Sequence, residues 1–253
     1  MSRIFILLLP IIMFGQIIRF APLPIDTENN LYKKYQPLLN YLSKATNDKY
    51  KFVYYNNYKK LLNNFKAGKV DMIILGALPY LRLKSEFKDV KPIGTFLNKN
   101  NQPYYTCQII TSDEHINSLN DIDINTKIFL TNKLSTCGYL MTQYMFKKAN
   151  KNLDDYNYKY VGNHINVVFY TTLYNNAIGD VKSSIANTYK HFIKVIDTSI
   201  HIPGFSIVVN TKNVRMSQIN SISKALDNYP GIIATPKNFY EPIEKIKNSI
   251  KVK

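Results

Sequence analysis

The sequence predicts an α/β protein of two similar lobes, joined by two crossover strands that form a hinge, with a ligand cleft between the lobes. Three observations carry that expectation. Strand-like apolar runs alternate with amphipathic helical runs through residues 17–80, the pattern of a parallel sheet covered by helices. The same alternation restarts after residue 104. The last part of the chain returns without any linker composition, so it must cross between lobes twice, near 104–110 and near 194–201, and a pair of crossings makes a hinge.

The elements follow in order. Ile17-Ile18-Arg19-Phe20-Ala21 reads as a first strand, stopped by Pro22-Leu23-Pro24. Residues 32–45 set Tyr35, Leu38, Leu39 and Leu42 on one helical face, with Pro37 marking a kink or a helix start. Lys51-Phe52-Val53-Tyr54-Tyr55 is a second strand, and residues 59–66 a short helix ended by Gly68. Val70-Asp71-Met72-Ile73-Ile74-Leu75 is apolar almost throughout, as a buried parallel strand is. Gly76-Ala77-Leu78-Pro79-Tyr80 follows at its carboxyl end, where open α/β sheets bind ligands. Asp71 is expected to orient its strand rather than to meet an anion.

In the second half, 104–110 and 127–131 read as strands, 117–122 as a turn or short helix, and 136–149 as a helix with Leu140/Tyr144 and Met141/Met145 at helical spacing. Tyr158-Lys159-Tyr160-Val161 is a strand, while 167–177 has helical spacing but strand-like composition. Gly179-Asp180-Val181 echoes Gly68-Lys69-Val70, a weak internal symmetry. Residues 192–196 and 201–210 are strands around Pro203-Gly204. Residues 217–228 and 240–250 are helices, the last packing back on the first lobe.

The turn Asn132-Lys133-Leu134-Ser135-Thr136-Cys137-Gly138 joins a strand to a helix. A helix start presents unpaired N–H groups and the positive end of the macrodipole, and Ser135 and Thr136 add hydroxyls. The turn can be an anion cradle, or Ser135 can be only an N-cap.

Composition narrows the function. The 253 residues, 45% hydrophobic and 20% charged, suit a packed core and exclude a disordered chain. The formal charge of +16 suits an anionic partner. The lysines are spread along the chain, so no nucleic-acid partner is expected. Arg3, the apolar run 4–14 broken by Pro10, and Gly15 have the form of a secretory signal peptide over residues 1–15, and a soluble periplasmic protein is expected. Cys107 and Cys137 can form a disulfide or stand as two free thiols. No zinc spacing, Ser-His-Asp context, Gly-x-Ser-x-Gly or paired carboxylates occur, so neither catalysis, metal nor cofactor is expected. His115, His191 and His201 lack any such context.

Several runs resemble a known family. Arg19-Phe20-Ala21-Pro22-Leu23-Pro24, Tyr35-Gln36-Pro37-Leu38-Leu39, Asn57-Tyr58, Gly68-Lys69-Val70-Asp71 to Pro79-Tyr80, Leu134-Ser135-Thr136-Cys137-Gly138-Tyr139 and Gly162-Asn163-His164 together are similar, in order and spacing, to PhnD-type binding proteins of phosphate, phosphite and phosphonate ABC importers. The resemblance implies a type II periplasmic binding fold and a non-enzyme, a monomer partnered by an ABC permease. It places the oxyanion against Tyr58 and Tyr80 of the first lobe (16–106 and 201–253) and Ser135, Thr136 and His164 of the second (107–200). Cys137 stands where relatives carry a hydroxyl, which leaves open a thiol-reactive ligand such as arsenite and a sensor role beside a membrane histidine kinase. Gly204-Phe205 stands where some aminophosphonate binders place an acid, so a plain oxyanion is expected over an aminoalkylphosphonate.

Overall fold

A computed structural model describes residues 16–250; the signal-peptide expectation falls on residues 1–15, outside the described residues. Strand β1 (Ile17–Ala21) leads into α1 (Glu28–Thr46), β2 (Lys49–Phe52) into α2 (Tyr58–Lys66), and β3 (Met72–Leu75) into α3 (Ala77–Glu86). Then come β4 (Val90–Phe96), β5 (Tyr104–Tyr105) and β6 (Cys107–Thr111). The cycle repeats: β7 (Lys127–Leu130) leads into a π-helical turn (Thr136–Met141) continuous with α4 (Thr142–Lys148), β8 (Tyr158–Tyr160) into α5 (His164–Leu173), and β9 (Ala177–Lys182) into α6 (Ser183–Thr188). β10 (Lys194–Thr198), β11 (Ile202–Pro203), β12 (Ser206–Asn210), α7 (Met216–Asp227), β13 (Ile232–Ile233) and α8 (Glu241–Ile250) complete the order.

The strands form two sheets, ordered β13-β4-β12-β3-β1-β2 and β10-β6-β9-β7-β8. Each contains the same arrangement. Three parallel strands (β2-β1-β3 and β8-β7-β9) are followed by one antiparallel strand, β12 or β6, entering from the crossover. The internal symmetry is therefore real, but the Gly-x-Val echo misplaces it. By sheet order β3 matches β9, so Leu75-Gly76-Ala77 corresponds to Val181-Lys182-Ser183, and residues 183–188 form a helix rather than a strand.

Between the sheets, β5 and β11 pair as a two-stranded antiparallel ribbon, Tyr105 opposite Ile202 and Tyr104 opposite Pro203. The single strand expected over 104–110 is thus two pieces in two sheets, and this break is the hinge. At its edge a Cβ on Gly204 would lie 2.7 Å from Pro103 O and 3.0 Å from Phe96 O, so the backbones meet there only because the residue is glycine.

Among the elements that went unread in the sequence are α3, β4 and the short β13. In α3, Pro79 suggests a loop, yet it falls in the first turn, where its missing N–H is unneeded. In β4, Pro92 and Gly94 read as breakers, and the strand tolerates them because its pairing with β12 is irregular there.

Helices α1 and α7 cover one face of the first sheet through Leu38, Leu42, Ile219 and Leu226. Helices α5 and α6 cover the outer face of the second through Val167, Val168 and Ala186. The remaining faces share a single core: Leu61, Phe65, Ile73 and Leu75 are continuous, through α3, α8 and α4, with Ile109, Ile128, Leu130 and Ile178. Helix α8 packs against both α3 and α4, and Lys147 Nζ donates to Ser249 O at 3.1 Å. It backs both lobes rather than the first alone.

Asp71 has a structural role, as its sequence context suggested. It is fully buried and accepts from Arg19 Nε at 2.7 Å, Arg19 Nη2 at 2.6 Å, the Arg19 N–H at 2.7 Å and Asn213 Nδ2 at 2.8 Å. The carboxylate locks β1 to the entry of β3.

Candidate functional site

A cavity of about 690 Å³ opens between the two lobes at the carboxyl ends of the parallel strands. Six helices begin at its wall, three from each lobe in matching topological positions. From the first lobe come the starts of α1 (Thr27), α2 (Tyr58) and α3 (Gly76); from the second, the π-turn (Ser135, Thr136), α5 (Asn163, His164) and α6 (Lys182, Ser184). Each start offers N–H groups without intrahelical partners and the positive end of a dipole. The charged lining residues are Lys34, Lys182 and one carboxylate, Asp26. Asp26 Oδ1 is engaged by its own turn, by the Thr27 N–H at 2.7 Å and Asn30 Nδ2 at 3.0 Å. Such a cavity favours an anion.

The caps explain why the helices start where they do. Asn57 Oδ1 accepts the Lys60 N–H at 2.8 Å and Asn163 Oδ1 the Asn166 N–H at 2.9 Å, leaving Tyr58 and His164 as matching first residues of α2 and α5. Ser135 Oγ accepts the Gly138 N–H at 3.1 Å. Ser135 is therefore an N-cap and a cavity residue at once, and its hydroxyl proton remains available to a ligand. Gly138 is obligatory: a Cβ there would come 2.7 Å from the Thr131 backbone N.

Thr136 joins the lobes. Its Oγ1 accepts the Leu78 N–H at 3.0 Å, supplying from the second lobe the cap that Gly76 cannot give to α3. Its hydroxyl also pairs with that of Tyr105, whose burial raises the phenol well above its ordinary range.

His164 Nδ1 accepts the Lys182 backbone N–H at 3.3 Å, which fixes the proton on Nε2. Burial, and then the charge of Lys182, depress its pKa to about 4. The imidazole is a neutral N–H donor at neutral pH. Burial likewise raises the Tyr58 phenol, keeping it a donor.

The structure thus brings Tyr58, Ser135, Thr136, Cys137 and His164 to one cavity, but not Tyr80. That ring stacks on Tyr240 at 4.2 Å, is 4% exposed, and belongs to the core shared by the lobes. It sits on the fourth residue of α3 and is not among the residues that line the cavity. Cys137 also needs correction. It is bonded to Cys107, with Cα atoms 5.2 Å apart, so it lines the cavity as half of a disulfide and offers no thiol.

Sequence reasoning missed Tyr105, Thr131, Lys182 and Phe205, all in the lining. Thr131 Oγ1 is buried without a partner among the described residues. Phe205 stacks on Tyr105 with centroids 6.2 Å apart, and the Lys182 ammonium lies over both rings. A correct alignment of the two lobes would have found Lys182, since it occupies the position of Gly76.

Behind the cradle, Asp180 is fully buried. Thr142 Oγ1 lies 2.8 Å from Asp180 Oδ2 and 3.1 Å from Cys137 O. One hydroxyl proton cannot serve two acceptors. A neutral carboxyl resolves this by donating to Thr142, which then donates to Cys137 O. Burial pushes the Asp180 pKa well above the ordinary carboxyl range, in agreement. Asp180 lies close to both cysteine sulfurs, but those are spent in the disulfide. Because its folded pKa is raised, Asp180 lowers stability progressively as pH rises above the unfolded carboxyl value. Asp180→Asn keeps the donor to Thr142 and removes that dependence. We expect the variant to match the parent near pH 4 and to be more stable by about 1 kcal/mol or more at pH 8, read from unfolding curves at both pH values.

A family model described as ABC transporter, phosphonate, periplasmic substrate-binding protein matches residues 20–231. The phosphate-import protein PhnD of Mycolicibacterium smegmatis is 28% identical over 130 residues, a match spanning 50% of this chain and 40% of that protein. A binding-protein component of an ABC phosphonate transporter from Pseudomonas aeruginosa superposes with a TM-score of 0.78 at 18% identity, covering 94% of this chain and 87% of that one. PhnD1 from Prochlorococcus marinus, in complex with methylphosphonate, gives 0.78 at 13% identity over 94% and 99%. At such identities the structural likeness establishes the fold, that of the periplasmic binding proteins. Among the described residues no helix is long and apolar enough to cross a membrane.

Proposed function

The chain belongs to the family of periplasmic substrate-binding proteins of phosphonate ABC transporters, and on that premise we propose that it closes its lobes on a small oxyanion of the phosphate, phosphite or phosphonate class and delivers it to an ABC permease. The observation that carries this reading is the convergence of six helix starts on one cavity whose single carboxylate is already engaged. Tetrahedral oxyanions need several convergent donors and no competing acceptor. Backbone N–H groups, the Ser135 hydroxyl, the Tyr58 phenol and the neutral His164 Nε2–H supply them. The names of the relatives fit the same class, phosphate import for one and bound methylphosphonate for another. The thiol-dependent alternative loses its chemistry with the disulfide.

We take residues 16–106 with 201–253, and residues 107–200, as the two bodies that close, in a monomer exported by a signal peptide. Binding stabilises the native state by RT ln(1 + [L]/Kd), about 4 kcal/mol at a thousandfold excess over Kd. For a domain of this size that raises Tm by roughly 10 °C. Phosphate, phosphite and methylphosphonate at millimolar concentration should each be tested by thermal shift beside sulfate and chloride. A rise for at least one of the three, exceeding both controls, is expected. No rise for any of them removes the proposal.

A further inference from the structure

Lys182 stands apart from the other cleft residues. It is the N-cap of α6, with no side-chain cap bond, at the position where the first lobe has Gly76. Its ammonium sits 4.7 Å from the Tyr105 ring centroid and 5.4 Å from that of Phe205, a placement that strips water from the charge while holding it in place. Among the described residues no ion pair involves it. Lys34 at the same cavity adds a second positive charge. A positive group held at a cavity wall, with no negative partner of its own, calls for one from the ligand.

The helix-start N–H groups and the Ser135, Tyr58 and His164 donors suffice for one tetrahedral oxyanion without it. A cavity of about 690 Å³ lies in the range of sites that enclose organic ligands rather than a bare ion. Leu23, Ile25, Ile165 and Ile185 provide apolar lining, suited to a short carbon chain. Resting on the oxyanion reading above, we propose that the ligand is a phosphonate bearing a second acidic group on a short carbon linker, a phosphonocarboxylate, and that Lys182 is the residue that selects that second group. A ligand ammonium in its place would meet the charges of Lys182 and Lys34.

The test is isothermal titration of the parent chain, Lys182→Met and Lys182→Arg with methylphosphonate, 3-phosphonopropionate and 2-aminoethylphosphonate. The parent is expected to prefer 3-phosphonopropionate over methylphosphonate by about tenfold or more, with 2-aminoethylphosphonate weakest. The readout is this ratio, which should fall to about one in Lys182→Met and be retained in Lys182→Arg. A parent that binds methylphosphonate without the preference overturns this inference and leaves the oxyanion reading standing. A preference that survives Lys182→Met overturns the role of Lys182. A parent that binds none of the three overturns this inference, and the oxyanion reading falls with it only if phosphate and phosphite also fail to bind in the same titration.

Discussion

Replacing Ser135 and Thr136 together with alanine will weaken oxyanion binding by at least about a hundredfold. Hydrogen bonds to a charged group are worth about 1.5–3 kcal/mol each when broken at a desolvated site, and this change acts at two levels. Ser135→Ala removes a hydroxyl donor and the cap on the Gly138 N–H, loosening the turn at the cavity wall where the oxyanion is proposed to sit. Thr136→Ala leaves the Leu78 N–H without its cross-lobe acceptor and so disfavours the closed arrangement. Thr136→Ser should recover most of the second effect, because it restores the oxygen. Tyr80→Phe serves as the negative control, since Tyr80 stacks on Tyr240 outside the cavity and its loss of a hydroxyl should leave affinity within about twofold. Titration calorimetry with the ligand found by thermal shift decides the matter. An affinity for the double variant within threefold of the parent would sink the cradle assignment.

Removing the disulfide will have the largest effect on stability. The Cys107–Cys137 bond closes a loop with a sequence separation of 30, for which chain entropy predicts a loss of about 3–4 kcal/mol when both residues become alanine. The corresponding fall in Tm is about 10 °C. The same fall should follow reduction of the parent chain, and the double alanine variant should then be insensitive to reductant. The bond also has a local role. It ties the first residue of β6, just past the hinge, to the second residue of the π-turn, so its loss should lower oxyanion affinity as well. If Tm is the same with and without reductant, the two cysteines are not bonded in solution.

Much of the fold was legible because it rests on local chemistry. The parallel strands announce themselves as apolar runs, and the Asn57-Tyr58 and Asn163-His164 pairs are cap signals as well as family motifs. What stayed hidden depends on partners remote in sequence. Pro79 forbids nothing in the first turn of α3, yet in the sequence it reads as a stop. Pro92 and Gly94 are accommodated because β4 itself bulges between them, leaving Ile93 without a partner on β12. The break between Tyr105 and Cys107 leaves no trace in a run that is continuously strand-like. Within the site, Ser135, Thr136, Tyr58 and His164 could be found because helix starts carry polar signatures. Tyr80 could not be ruled out, since an aromatic beside a helix start can face either way until the neighbouring Tyr240 is in place. Lys182 was obscured by an echo that aligned the two halves out of register.

The aromatic packing behind the cleft separates two properties that binding proteins are often assumed to tune together. Tyr104 of the crossover ribbon rests against Phe239 at 5.2 Å, Tyr80 rests against Tyr240, and α8 spans α3 and α4. None of these side chains except those of the cleft can touch a ligand, yet each is positioned to bias how far the lobes open. Apparent affinity equals intrinsic affinity scaled by the fraction of molecules in the competent arrangement. If the lobes close on a ligand as proposed, substitutions among the rear aromatics should shift the concentration at which the cleft fills. On the same reading, the choice of ligand rests with the six helix starts and Lys182 at the cavity wall. On the proposed function, a substitution at Phe239 or Tyr240 shifts the working concentration and leaves ligand choice unchanged, because neither residue lines the cavity.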